Sequence, residues 1–186
     1  GSGLVGSEMC IRDRFYQSTA SLDKAYKLQP MQYRLTIPYR VQISTSNGVQ
    51  ADSGVVDGDV LHTLQMTRSF GENDPLKIVG AAKIKELVWH EDAFAIGFNF
   101  GLLTNLVKLD MSVEKASGYR NGSFMASTNG MLLLEEVNMR NNQLARNGDN
   151  GNVATLDLSW QGRLKKLDVR GTGLTRVKPV SYTHLR

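Results

Sequence analysis

An apolar residue followed at +3 and +5 by two more apolar residues recurs five times along the chain, and this spacing constrains the fold more than any other feature. The copies are "LHTLQM" (Leu61, Leu64, Met66), "IKELVW" (Ile84, Leu87, Trp89), "LVKLDM" (Leu106, Leu109, Met111), "LEEVNM" (Leu134, Val137, Met139) and "LKKLDV" (Leu164, Leu167, Val169). Their middle residues lie 23, 22, 28 and 30 positions apart. A weaker copy, "PYRVQI" with Pro38, Val41 and Ile43, precedes them by 23. Side chains alternate along a strand, so the +3 and +5 residues share one face of a short strand while the first residue turns in from the preceding loop. A single such match means little in a chain that is 41% hydrophobic. Five matches at related intervals mark a repeat.

The last two copies extend further. "LEEVNMRNNQL" adds Asn142 and Leu144, and "LKKLDVRGTGLTRV" adds Thr172, Leu174 and Val177. Together they resemble the leucine-rich repeat, L-x-x-L-x-L-x-x-N-x-L at a period of about 20–29 residues. Phe100, six residues before Leu106 in "FGLLTNLVKLDM", resembles the bacterial cell-surface, BspA-type variant. The first three copies depart from the pattern, with Ser69, Asp92 and Glu114 where the family has asparagine. The resemblance implies an α/β-type repeat solenoid, a horseshoe fragment. It would carry a parallel sheet of short strands on its concave face and irregular or short helical segments on its convex face. It also implies that Asn142 saturates backbone groups at the turn leaving its strand, and that Phe94, Ile96 and Phe98 line the convex side.

The chain divides into four parts. Residues 1–14 and 180–186, with "GLVGSEMCIRDR" and "VSYTHLR", resemble translated sequencing adapter and a tag remnant, and are set aside from fold reasoning. Residues 15–60 read as an N-terminal cap or partial first repeat, with a small β domain as the alternative, because "QYRLTIPYRVQIS" alternates and "SNG" and "DG" mark turns. Residues 61–179 form the repeat region. Segments 112–133 and 142–163 are long and rich in Gly, Asn and Ser, and read as loops able to carry binding. "VATLDLS" at 153–159 is expected outside the concave sheet.

In the repeat register, the outward positions fall into columns. Thr63, Glu86, Lys108, Glu136 and Lys166 alternate in sign and predict a mutually neutralised ladder. The next two columns are Gln65, Val88, Asp110, Asn138, Asp168 and Thr67, His90, Ser112, Arg140, Arg170. From them Asp110, Asn138, Arg140, Asp168 and Arg170 are the candidate binding residues, with a solvated sheet face as the plainer alternative.

Catalytic, cofactor and metal sites are not expected. Ser112 and Asp110 point along one strand and not around the His90 imidazole, as a triad would require. "RNGDNGN" at 146–152 lacks the terminal glutamate of a calcium loop, and "HED" at 90–92 lacks the second histidine of a zinc helix. The net charge of +4 gathers near the C-terminus, where Arg163, Lys165, Lys166, Arg170, Arg176 and Lys178 interleave with apolar residues as a solvated face, so nucleic acid is not the expected partner. No run is apolar enough for membrane insertion, and the single Cys10 excludes an internal disulfide framework. The expectation is a non-enzymatic module binding a protein or glycan, with a structural spacer as the alternative. Its location, by resemblance, is extracellular or at a bacterial cell surface. The best-formed repeat, 164–177, lacks a following unit. Its end is expected to be covered by residues 180–186 or by a second chain.

Overall fold

A computed structural model of the chain describes residues 29–65, 77–91, 100–115, 123–144 and 154–180. Eleven strands occur among them. Strands β1 (Met31–Leu35), β2 (Tyr39–Thr45), β3 (Gly48–Val56), β4 (His62–Leu64) and β5 (Lys77–Val79) precede β6 (Ile84–Val88) and β7 (Lys108–Asp110). The helix α1 (Ser123–Ser127) follows, and then β8 (Glu136–Asn138), β9 (Thr155–Asp157), β10 (Lys166–Asp168) and β11 (Arg176–Lys178).

The expected α/β repeat solenoid is not what forms. The described residues are mostly β, arranged in one mixed sheet, one antiparallel sheet and one parallel pair, with a single five-residue α-helix and three short 3-10 turns. The main sheet has the order β10, β8, β7, β6, β1, β4; β3, β2 and β5 form a second, and β11 and β9 a third. Two pairings account for the departure. The first copy, around Leu64, forms β4, which joins the sheet through β1 and runs antiparallel to it. The weaker copy around Val41 lies in β2, which pairs antiparallel with β3 and with β5. Alternation of apolar residues specifies a buried face but not the direction of a neighbour, so these segments satisfied the spacing with antiparallel partners.

The other four copies do form parallel strands, with Glu86, Lys108, Glu136 and Lys166 in one register row and Val88, Asp110, Asn138 and Asp168 in another. Their inward residues build the core. Leu87, Trp89, Leu109, Met111, Val137 and Met139 are all buried, and β1 adds Met31, Tyr33 and Leu35 from alternate positions. Phe100 is fully buried and meets Phe124 of α1 edge-on, with ring centroids 5.4 Å apart. Phe94, Ile96 and Phe98 lie outside the described residues, as do Thr67, Ser69, Asp92 and both adapter-like strings except Val180. β9, from "VATLDLS", pairs parallel with β11 in the separate two-stranded sheet.

Candidate site on the open face of the parallel strands

Outward residues of β6, β7, β8 and β10 line a shallow groove of about 380 Å³. One row is a ladder of charges. Glu136 takes Lys166 at 3.1 Å on one side and Lys108 at 3.5 Å on the other. Its carboxyl is held below the ordinary range, first by the hydrogen bond from Lys166 and then by the charges of Lys108 and Lys166. Glu86 departs from the expected ladder: its carboxylate accepts from Arg34 Nε of β1 at 2.8 Å. Thr63 also leaves the row, since it stands opposite Gln32 of β1, which in turn stands opposite Val88.

The second row carries a local device. Asp110 Oδ1 accepts from Ser112 N–H at 3.0 Å, Asn138 Oδ1 from Arg140 N–H at 3.1 Å, and Asp168 Oδ1 from Arg170 N–H at 3.1 Å. Asp157 in β9 does the same with Ser159 N–H at 2.9 Å. Each is an Asx turn, in which a short acidic or amide side chain replaces a backbone partner where the strand ends. Three of the five candidate binding residues therefore have a structural duty on one oxygen.

What remains differs along the groove. Arg170 clamps Asp168 through both guanidinium branches, at 3.0 and 2.7 Å, which with the Arg170 N–H and the nearby Arg140 charge holds the Asp168 carboxyl low. That end of the groove is internally neutralised. At the centre, Asp110 Oδ2, Asn138 Nδ2 and the Arg140 guanidinium make no hydrogen bond among the described residues, the Arg140 charge reaching Asp168 only through space. Arg140 Nε is shielded from water and unpaired. His90 lies beside them. Its Nδ1–H donates to the Ser112 carbonyl at 2.7 Å and lies 3.8 Å from Asp110 Oδ1, leaving Nε2 without a partner among the described residues. Ser112 donates its hydroxyl to Asp110 at 2.7 Å and is buried, so its oxygen is not presented to the imidazole. Nucleophile and base are not aligned for attack.

Below the groove, Asn142 is fully buried and donates to the carbonyls of Met111 at 2.8 Å, Met139 at 3.1 Å and Arg140 at 3.4 Å. This is the backbone-saturating role that the resemblance implied. Thr172 fills the corresponding place after β10, donating its hydroxyl to the Val169 carbonyl at 2.5 Å. Arg34 was invisible as a site residue in the sequence because nothing there places β1 beside β6. His90 was visible in its column, but its role as a neighbour of Asp110 depends on the tautomer that the Ser112 carbonyl selects. Among the described residues no group of three or more His, Cys, Asp or Glu side chains could hold a metal. No family model, no curated protein and no solved structure matches the chain.

Proposed function

We propose that the chain is a non-enzymatic binding module that holds a protein or glycan partner across the open face of β6, β7, β8 and β10. Arg140 carries the proposal. A guanidinium nitrogen withdrawn from water with no acceptor is costly, and it is stabilised when a ligand supplies a carbonyl or carboxylate oxygen. Asn138 Nδ2 adds a second donor nearby and Asp110 Oδ2 an acceptor, so the centre of the groove matches the mixed polar edge of a peptide or a sugar. The extracellular or cell-surface location implied by the sequence resemblance belongs to the same proposal.

The test is to probe arrays of peptides and glycans with the labelled protein and to measure hits by calorimetry. Arg140→Ala and Asn138→Ala should weaken a true hit by about tenfold or more. Arg170→Ala should weaken it less, because Arg170 is already occupied by Asp168. No array hit, or a hit indifferent to all three changes, would favour the spacer.

A further inference from the structure

The main sheet ends at β10, and no strand among the described residues pairs with its outer side. Towards β8, Lys166 N–H donates to the Glu135 carbonyl at 3.1 Å, and the Asp168 carbonyl accepts from Met139 N–H at 2.9 Å. Backbone groups alternate sides along a strand, so the N–H and C=O of Leu167 between them point outward. Leu167 is 36% exposed, whereas Leu109 and Val137, which hold its place in β7 and β8, are 2% exposed. An open edge with an apolar centre is a template for another strand.

The charges say which strand fits. β10 is Lys166, Leu167, Asp168, one charge of each sign about an apolar centre. We infer that β10 pairs antiparallel with β10 of a second copy of this chain, with Leu167 on the two-fold axis. In that register the two Leu167 residues exchange N–H···O=C bonds as a hydrogen-bonded pair. Their side chains meet on the core side, and on the groove side each Lys166 faces the other copy's Asp168. A two-fold axis perpendicular to the sheet produces this arrangement and keeps both core faces on one side. It also continues the alternation of sign, since Glu136, Lys166 and the opposing Asp168 then follow one another across the seam, each Asp168 keeping its own Arg170. By contrast β11 exposes Arg176 and Lys178, two like charges of the kind that guard an edge. The seam joins the grooves of two copies end to end.

Sedimentation equilibrium over a roughly hundredfold range of protein concentration tests the inference. The wild-type chain should show a reversible dimer. Lys166→Asp alone and Asp168→Lys alone each set like charges against each other twice per dimer, and each should weaken association by about tenfold. Lys166→Asp combined with Asp168→Lys restores opposite charges across the seam and should recover most of the loss. Circular dichroism confirms that each variant is folded, and Leu167→Lys, which puts two like charges on the axis, serves where the swap unfolds. A wild-type monomer throughout, the result expected if residues 181–186 cover the edge, would overturn the inference. So would a dimer indifferent to these changes, or a double variant as weak as the singles.

Discussion

Asn142 is the residue on which the most backbone depends. Removing its side chain takes a buried donor from the Met111 carbonyl and a second donor from the carbonyls of Met139 and Arg140, which keep the N–H groups of Asn142 and Val113. Asn142→Ala should lower stability by about 2–3 kcal/mol in urea unfolding. A loss under about 0.5 kcal/mol, the range of an ordinary surface change, would contradict the assignment. Glu136 makes a pH-dependent contribution. Its folded pKa is depressed, chiefly by Lys166, so its stabilisation is present above the ordinary glutamate range and is lost as pH falls through the folded value. Glu136→Gln should therefore lower Tm at neutral pH, and the difference from wild type should vanish in acid. A gap that widens in acid would show the sign to be wrong. The polar roles at this scale were only half legible. The string "LD" or "VN" closing β7, β8, β9 and β10 is plain in the sequence, yet a side chain one bond from the backbone serves equally as an Asx turn or as a ligand contact. Only geometry separates the two. Gln161, fully buried and donating to the Thr128 and Met131 carbonyls, carried no sequence signal at all.

At the scale of elements, the apolar spacing located β6, β7, β8 and β10 and their register, because a one-residue slip would turn every core side chain to solvent. It misplaced β4 and β2. Leu64, Val41 and Ile43 are buried as the pattern requires, whereas Leu61 is 43% exposed, and the strands' partners are antiparallel. β1 was readable as an alternating strand, with Met31, Tyr33 and Leu35 inward, and unreadable as the strand joining β4 to β6. The junction from β5 to β6 is tight. Gly80 has φ of 88°, and a Cβ there would lie 2.5 Å from the Arg40 carbonyl oxygen, a backbone atom that cannot swing aside. Gly80→Ala should cost more than about 1 kcal/mol, from the left-handed conformation and the clash together. Unchanged stability would mean that β2 and the turn after β5 are not this close.

For the whole molecule, the sheet order makes one unit of the N-terminal strands and the parallel strands, since β1 sits between β4 and β6. Leu109→Ala, in the middle of that core, should cost about 2–5 kcal/mol. Tryptophan fluorescence and circular dichroism should report the same shifted midpoint, as they do for a cooperative transition; separated midpoints would show that the sheet melts in parts. The overall architecture was the least legible level, because spacing within a segment carries no information about the direction or identity of its neighbour. The central claim remains the open face with its unpaired Arg140. The most direct measurement is a two-dimensional amide NMR titration with the tightest array ligand. Shifts confined to residues 86–90, 108–112, 136–140 and 166–170, with movement of the Asn138 side-chain amide, are the predicted result. Shifts confined to the β2–β3 hairpin, with that amide unmoved, would contradict it.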